Sequence, residues 1–293
     1  MTKPQSHLMA FGLGYTAQTL CRQLKTRTEW ACLGTVRQDT KAKALRTEGI
    51  QAFALEPKTQ IDIPDGAHWL ISAPPGDEGC PIYTRFVRHL PKASSLTYLS
   101  TTGVYGDLQG GWAFEWSPVN PSSERARRRV QAEEAWQAAC LKEAIPYRTV
   151  RLPGIYGPGR SPLERVRTGT ARRIIKAGQV FSRIHVEDLA SGLQALLDRR
   201  DLTGVFHLCD DAPAPPQDVI SYAAELLNQP PPVSLPFEET DLSPMAKSFY
   251  AECKRISNAR IKAALGWKPL FPTYKSGLKA VLMAEDRDKN SLA

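Results

Sequence analysis

The chain has 293 residues, of which 42% are hydrophobic and 23% are charged, and its formal net charge is +8. Its mean hydropathy of −0.33 is typical of a soluble globular protein, and the length allows one large core, or a large and a small one. No run approaches the roughly 18 apolar residues that cross a bilayer, and residues 1–7 lack the apolar segment of a signal peptide. We therefore expect a cytoplasmic protein with no membrane partner.

Cysteine, histidine and basic residues give no sign of a metal site or of nucleic-acid binding. The six cysteines and five histidines lack the close spacings of metal ligands. The basic run Arg125-Ala126-Arg127-Arg128-Arg129 opens a predicted helix, where charges usually form a solvated face, and no aromatic residues interleave it. We expect no metal and no nucleic acid, and attraction of anionic ligands such as phosphates explains the positive charge.

Short apolar runs alternate with amphipathic segments in the first half of the chain, which predicts a parallel sheet covered by helices. The predicted strands are, in chain order, Leu8–Phe11, Ala31–Val36, Gln51–Ala54, Trp69–Ala73, Leu96–Ser100, Arg148–Leu152 and Val205–Leu208. Apolar stripes at helical spacing predict one helix between the first two strands and two more over Glu124–Glu143 and Val186–Arg199. The predicted fold class is α/β, a Rossmann-type doubly wound parallel sheet with a smaller C-terminal α/β capping lobe.

Proline and glycine clusters divide the second half of the chain. Residues 157–162 read Gly-Pro-Gly-Arg-Ser-Pro, and further prolines cluster over 212–216 and 230–232, so the chain is expected to leave the sheet at these breaks. We predict an NAD(P)-binding Rossmann domain over 1–158 and 184–210. The smaller lobe, over 159–183 and 211–293, is predicted to cap a substrate.

The segment that follows the first predicted strand has the pattern G-x-G-x-x-A of a dinucleotide-binding turn. Gly12 permits the tight turn, Gly14 lets the backbone approach a pyrophosphate, and Ala17 allows close helix–strand packing. The next helix offers N–H groups and a positive dipole to phosphates. The flanking strand and helix are the context that supports this interpretation, and a tight turn without a ligand is the alternative. The predicted cofactor-binding residues of this turn are Gly12, Leu13, Gly14, Tyr15, Thr16 and Ala17.

The end of the second predicted strand indicates which dinucleotide is bound. Sites that prefer NAD usually carry an acidic residue there to accept from the ribose 2′-OH. This chain has Arg37 at that position and Lys41 one helical turn later, and a guanidinium suits a 2′-phosphate. We predict NADP, with NAD less favoured, and a solvated Arg37 without a ligand is the alternative.

Three further motifs together resemble the extended short-chain dehydrogenase/reductase superfamily, in its branch of nucleotide-sugar epimerases and dehydratases. These are Ser100-Thr101-Thr102-Gly103-Val104-Tyr105-Gly106, the segment Arg151-Leu152-Pro153-Gly154-Ile155-Tyr156-Gly157-Pro158-Gly159-Arg160, and Arg183-Ile184-His185-Val186-Glu187-Asp188. With the N-terminal turn, the resemblance covers nearly the whole chain. It implies that Thr101 is the catalytic Ser/Thr that hydrogen-bonds the reacting hydroxyl. It also implies that a loop and a strand end line the cofactor, through Ser72, Ala73, Pro74, Leu152, Pro153 and Gly154.

The catalytic Tyr-x-x-x-Lys pair of that superfamily is replaced in this chain by Arg125 and Arg129. Arginine stays protonated at physiological pH and cannot act as a general acid or base near neutrality. Arg129 could still donate to the nicotinamide ribose. The Asp-Glu pair of the dehydratases is replaced by Thr102 and Gly103. In these respects the chain is most similar to the atypical, YeeZ-like members that lack the tyrosine.

Two functional hypotheses follow. The first is an NADP-dependent oxidoreductase or isomerase with a degenerate site, acting on an unidentified small molecule for which a nucleotide-sugar-like compound is a candidate. In that case Thr101 is retained, and Tyr105 is a candidate for proton transfer because it follows a strand end. Tyr156 and His185 are further candidates. The alternative is packing for the two tyrosines, and helix capping and domain contact for His185. The second hypothesis is a non-catalytic NADP(H)-binding redox sensor or regulatory protein. Either protein would be a monomer or a homodimer.

Overall fold

The computed structural model describes residues 6–57 and 59–292. Of the polar segment 1–7, where no signal peptide is expected, residues 1–5 lie outside this described part. The strands are β1 (Ser6–Phe11), β2 (Trp30–Val36), β3 (Gln51–Ala54), β4 (His68–Ile71), β5 (Ser95–Thr101), β6 (Trp112–Ala113), β7 (Tyr147–Leu152), β8 (Gly154–Tyr156), β9 (Arg173–Ile175), β10 (Arg183–His185), β11 (Gly204–His207), β12 (Ser234–Pro236) and β13 (Arg255–Ile256).

Helices separate most of these strands, as an α/β sequence requires. They are α1 (Tyr15–Lys25), α2 (Asp39–Thr47), α3 (Pro81–Phe86), α4 (Glu124–Lys142), α5 (Pro162–Arg167), α6 (Val186–Leu197), α7 (Pro216–Leu226), α8 (Pro244–Tyr250), α9 (Ala259–Leu265) and α10 (Tyr274–Leu292). Short 3-10 helices cover Val87–Lys92 and Thr102–Tyr105.

The central sheet has seven strands in the order β3-β2-β1-β4-β5-β7-β11. The pairs β1–β2, β2–β3, β1–β4 and β4–β5 are all parallel. The strand order reverses between β1 and β4, and open α/β sheets bind ligands outside the carboxyl ends of their strands at such a switch point. The structure confirms the predicted Rossmann-type α/β class, and all seven predicted strands belong to this sheet.

The strands form because their apolar runs are buried on both faces, as expected of a parallel sheet. Every residue of β4 and β7 is buried. The ring centroids of Phe11 and Trp69 are 4.9 Å apart, and Trp136 of α4 packs edge-on against Trp69 at 6.4 Å. Burying a large apolar side chain contributes about 1.5–3 kcal/mol. This aromatic core fixes α4 against one face of the sheet.

One strand is shorter than predicted. The sequence predicts a strand from Trp69 to Ala73, but β4 ends at Ile71. The backbone N–H groups of Ser72 and Ala73 both donate to the Phe11 carbonyl oxygen, each over 2.9 Å. Two successive amides that converge on one acceptor cannot continue a ladder, so the chain turns away from the sheet there.

The chain divides into two compact units. The first comprises the residues up to Val104, Glu124–Arg151 and Leu189–Phe206, and the second comprises Tyr105–Ser123, Leu152–Asp188 and the residues from His207 onward. The first contains most of the central sheet. The second has its own apolar core, formed by α5, α7 and α10, and three parallel two-stranded sheets, β8–β10, β9–β12 and β6–β13. The predicted division into a Rossmann domain and a substrate-capping lobe stays a prediction.

The described residues give no sign of a membrane-spanning helix or of a metal-binding cluster. Of the helices that the structure describes, none combines the length and the apolar character that a membrane crossing needs. Across residues 6–57 and 59–292, no group of three or more His, Cys, Asp or Glu side chains is arranged to hold a metal ion.

Candidate functional site

Gly12 makes the tight turn between β1 and α1. Its φ is +100°, a backbone conformation that side chains disfavour. A β-carbon on Gly12 would lie 2.9 Å from the Ala73 nitrogen, because the loop after β4 crosses close to the turn. The Gly12 N–H donates to the Thr35 hydroxyl at 3.0 Å. The turn therefore requires glycine at this position for two independent reasons.

Leu13 anchors the turn to the protein interior. Its side chain is 2% exposed, and its N–H donates to the Thr35 carbonyl oxygen at 2.7 Å. Its own carbonyl oxygen accepts from the Gln18 amide at 2.7 Å. Gly34 leaves room for this side chain, since a β-carbon there would lie 2.8 Å from Leu13 Cγ. Both backbone polar groups of Leu13 are thus used within the protein.

Gly14 is exposed and is the N-cap residue of α1. Outside its chain neighbours and the α1 backbone, no atom of the described chain lies within 4 Å of a β-carbon placed there. The first turn of α1 holds no acidic residue, so the positive end of the helix dipole is not neutralised from within. Tyr15 is half-buried, and Thr16 and Ala17 are buried against the sheet. An open N-terminus of this kind fits the pyrophosphate of a dinucleotide.

The predicted cofactor loop after β4 lies beside the turn. Ser72 and Ala73 are half-buried and Pro74 is exposed. The two hydrogen bonds to the Phe11 carbonyl oxygen hold this loop at the carboxyl end of β1. The structure therefore brings together these three residues and Gly12, which the sequence places about 60 positions apart.

Arg37 and Lys41 are exposed after the end of β2. Neither side chain has an ion pair or a hydrogen bond with the residues that the structure describes. Asp39 lies between them at the start of α2, and its carboxylate pairs with Lys43 at 2.8 Å and with Arg46 at 3.3 Å. The hydrogen bond from Lys43 lowers the pKa of Asp39. The local charge at the end of β2 is therefore positive.

Thr101 is the last residue of β5 and is half-buried. Its hydroxyl oxygen accepts a hydrogen bond from the Gly103 N–H at 3.1 Å. A threonine hydroxyl also has one proton to donate. This bond orients the side chain and leaves the donor function of the hydroxyl for another partner.

The two arginines at the positions of the catalytic pair have different surroundings. Arg125 is exposed. The Arg129 guanidinium donates to the Leu99 carbonyl oxygen at 2.6 Å and lies 5.9 Å from the centroid of the Tyr98 ring. Burial raises the pKa of Tyr98 to about 12, so this neighbouring phenol is a poor proton donor at neutral pH. Arg129 ties α4 to β5.

Tyr105, predicted as a candidate for proton transfer, is wholly buried in the second unit, with 0% exposure. Its hydroxyl lies 2.6 Å from His207 Nε2, and His207 Nδ1 lies 2.9 Å from the Ser257 carbonyl oxygen. Because a carbonyl can only accept, Nδ1 carries the proton and the Tyr105 hydroxyl donates to Nε2. The buried Glu115 carboxylate accepts a hydrogen bond from the backbone N–H of His207 at 3.2 Å. Tyr105 is thus a buried residue of the second unit whose hydroxyl is held by His207, and its role in proton transfer stays a prediction.

Tyr156 and His185 are also buried in the second unit, at 7% and 3% exposure. Their rings contact edge-on at 5.3 Å, and burial lowers the pKa of His185 to about 4. His185 Nδ1 accepts from the Glu187 N–H at 3.3 Å, which caps the start of α6. Both side chains thus lie in the interior of this unit. Of the remaining predicted residues, Leu152 is buried, Pro153 is half-buried and Gly154 is exposed.

A buried ion pair is the main feature that the sequence analysis missed. The Arg151 guanidinium donates to both oxygens of Glu133, with a shortest distance of 2.7 Å, and both side chains are under a tenth exposed. Glu133 lies three residues before Trp136 on the buried face of α4, and this position was the available signal. The Arg151 guanidinium is thus paired with a carboxylate inside the first unit.

The chain is similar to several known proteins. The model of the NAD dependent epimerase/dehydratase family matches residues 84–208, a range that includes Thr101 and Arg129. A solved structure of a functionally unknown conserved protein from Silicibacter pomeroyi DSS is 44% identical, with a TM-score of 0.88, and the alignment covers 96% of this chain and 99% of that chain. UDP-glucuronic acid 4-epimerase from Bacillus cereus, solved in complex with NAD, has a TM-score of 0.76 at 16% identity, over 96% and 99% of the two chains. At that identity the likeness shows the fold alone.

One curated relative matches a part of the chain. The 3-diazoavenalumate denitrifying reductase of Streptomyces sp is 32% identical over an alignment of 143 residues, and the match covers 44% of this chain. The match spans 45% of that relative's length.

Proposed function

We propose that this chain is an NADP(H)-binding oxidoreductase of the NAD dependent epimerase/dehydratase family, whose model matches residues 84–208. One observation carries the proposal: Gly14 leaves open space at the positive N-terminus of α1. Gly12, Gly14 and the α1 N-terminus would hold the pyrophosphate of the cofactor. Ser72, Ala73 and Pro74 would lie along it, and Leu152, Pro153 and Gly154 are proposed to contact the nicotinamide.

The charges at the end of β2 support NADP over NAD. Arg37 and Lys41 are exposed and have no side-chain partner in the described chain. A 2′-phosphate would give both cations a ligand through charge-assisted hydrogen bonds. Asp39, the nearby carboxylate, is already engaged by Lys43 and Arg46.

The residues around the end of β5 support reduction over oxidation or epimerisation. Bound NADPH supplies a hydride, and the protein must position an acceptor and manage its protons. Oxidising an alcohol needs a base for the hydroxyl proton, and neither Arg125 nor Arg129 can be one. Thr101 can donate a hydrogen bond that orients the acceptor. We therefore propose an electron-poor small molecule whose reduction needs no proton from an acidic side chain, with solvent as the proton source.

The partial relative supports this choice, because it is a reductase and its substrate is a diazo compound by name. A nucleotide-sugar-like molecule stays a candidate substrate through the family. For partners, we propose a small-molecule substrate and neither nucleic acid nor a membrane, and we propose that the protein is a monomer or a homodimer. Arg127 and Arg128 of the basic run pair with Glu124, and this pairing offsets part of the positive charge of α4 that a nucleic acid would need.

The second candidate function is a non-catalytic NADP(H)-binding redox sensor. The observation that favours it is the bond from Arg129 to the Leu99 carbonyl oxygen, because it gives a structural role to the position of the catalytic lysine. The two candidates share the cofactor site and differ only in turnover.

Titration of the purified protein with NADPH and NADH tests the cofactor proposal. We expect tighter binding of NADPH, and we expect Arg37→Ala to weaken NADPH by about tenfold, because a hydrogen bond to a charged group contributes on the order of 1.5–3 kcal/mol and exposure reduces this. NADH affinity should change by less than about twofold. Arg88→Ala, at another exposed arginine of the same unit, is the matched control. Equal affinity for the two cofactors in the wild type would end the NADP proposal.

Turnover decides between the two candidates. NADPH oxidation is followed with a panel of electron-poor aromatic, carbonyl and nucleotide-sugar substrates. Oxidation that depends on substrate and falls at least about tenfold in Thr101→Ala, as expected for a lost hydrogen bond to the reacting group, supports the reductase. Tight NADPH binding without turnover on any of them supports the sensor. Activity that survives Thr101→Ala removes Thr101 from the mechanism.

A further inference from the structure

We propose that Lys43 and Arg46 set the cofactor preference indirectly, by holding the Asp39 carboxylate away from the adenosine ribose. This inference rests on the proposed NADP(H) binding. It assigns a specificity role to residues that need not touch the cofactor themselves.

Asp39 occupies a critical position in the chain. It is the first residue of α2 and lies two residues after Arg37. It is also the one acidic residue between Val36 and Glu48. A carboxylate near the end of the second strand is the group that accepts from the ribose 2′-OH in NAD sites, and its charge repels a 2′-phosphate. An unpaired Asp39 carboxylate would repel the 2′-phosphate that Arg37 attracts.

The structure instead engages this carboxylate along one face of α2. Lys43, one helical turn after Asp39, contacts the carboxylate at 2.8 Å. Arg46, two turns after Asp39, contacts it at 3.3 Å. Residues spaced by four and by seven share a helix face. The Asp39 side chain is half exposed, and so is that of Arg46, while Lys43 is 72% exposed. Each pair is therefore individually weak, but two cations share one carboxylate and draw it along the helix axis.

Two effects on binding follow from this capture. First, the positive charges of Arg37 and Lys41 remain uncompensated and available to a 2′-phosphate. Second, the ribose of NADH loses its natural acceptor. The capture thus favours NADPH and disfavours NADH at the same time, whereas positive charge alone would strengthen the binding of both dinucleotides.

A double-mutant cycle separates the capture of Asp39 from the direct attraction of the two cations. The variant Lys43→Ala/Arg46→Ala is made in the wild type and in Asp39→Asn, and dissociation constants for NADPH and NADH are measured for all four proteins. Breaking exposed pairs should lower the preference for NADPH about three- to tenfold in the wild-type background, with NADH bound about two- to threefold more tightly. In the Asp39→Asn background the same two substitutions should change the preference less than about twofold.

The controls keep the result interpretable. Arg22→Ala breaks another exposed pair, the one with Glu48 at 2.8 Å, and should leave the preference unchanged. The helical circular dichroism signal and the melting temperature establish that α2 still forms, and the single variant Lys43→Ala should give a smaller shift of the same sign.

Four outcomes would count against the inference. An equal fall in preference in both backgrounds means that the cations act on the phosphate directly and overturns it. Weaker NADH binding in Lys43→Ala/Arg46→Ala also overturns it. If the wild type prefers NADPH and Arg37→Ala removes the preference while the cycle gives no coupling, this inference fails and the proposed function stands. If the wild type binds neither dinucleotide, both fail.

Discussion

Gly12 and Gly14 belong to one turn, but the structure gives them opposite sensitivities to a methyl group. At Gly14 the φ is −82° and a β-carbon meets nothing within 4 Å apart from its neighbours and its own helix. At Gly12 the φ is +100° and a β-carbon would lie 2.9 Å from the Ala73 nitrogen. We predict that Gly14→Ala folds normally and loses cofactor binding, whereas Gly12→Ala loses stability.

The magnitudes follow from these contacts. In Gly14→Ala, alanine is a poorer N-cap than glycine by about 0.5 kcal/mol, so the melting temperature should fall by about 2 °C or less. A methyl group in the path of the pyrophosphate should weaken NADPH about 10- to 200-fold, the usual effect of one carbon in a tight site. In Gly12→Ala, backbone strain of about 1–2 kcal/mol adds to overpacking of about 1–3 kcal/mol. The melting temperature should then fall by about 4–15 °C.

Differential scanning fluorimetry without ligand measures the stabilities, and calorimetric titration with NADPH measures the affinities. The informative comparison is within one variant, since Gly14→Ala must keep its melting temperature while it loses affinity. If Gly14→Ala binds NADPH as tightly as the wild type, the open space at the N-terminus of α1 is not the pyrophosphate site and the reasoning is refuted.

Two further predictions concern stability. Glu133→Leu leaves Arg151 buried without its carboxylate and should lower the free energy of unfolding by about 3–5 kcal/mol. Glu133→Leu/Arg151→Met should return to within about 1 kcal/mol of the wild type. Urea denaturation measures both variants, and an equal loss of unfolding free energy in the two would contradict a buried ion pair between Glu133 and Arg151. Burial raises the pKa of Asp210 to about 7, so between about pH 4 and 7 the folded state binds a proton that the unfolded state has lost. Wild-type stability relative to Asp210→Asn should therefore fall by a few kcal/mol as the pH rises through this window, and a difference that is constant from pH 4 to 8 would disprove the shift.

The central sheet was predictable because its strands are short apolar runs that end at breakers. Gln51–Ala54 was predicted to the residue, and the α4 stripe of Ala132, Trp136 and Cys140 is buried as expected. The N-terminal turn was predictable for a related reason, since the conformational need for glycine at position 12 is local. Patterns of this kind depend on a few neighbouring residues and are visible in one sequence.

Interactions between distant segments were not predictable. Arg148 lies in β7 and is wholly buried, where it donates to the carbonyl oxygens of Leu202 and Arg199 at 2.6 and 2.8 Å. Strand periodicity says nothing about a cation that is satisfied by a loop some 50 residues later. The same holds for Tyr105, because its hydroxyl partner His207 is 102 positions away.

The bond between Arg129 and the Leu99 carbonyl oxygen limits which residues can replace Arg129. Lysine at this position would remove a planar donor that reaches the strand and also lies near the Tyr98 ring, and an ammonium reproduces neither contact well. Such an exchange would weaken the attachment of α4 to β5, so a change of side chain at position 129 is also a change in helix packing.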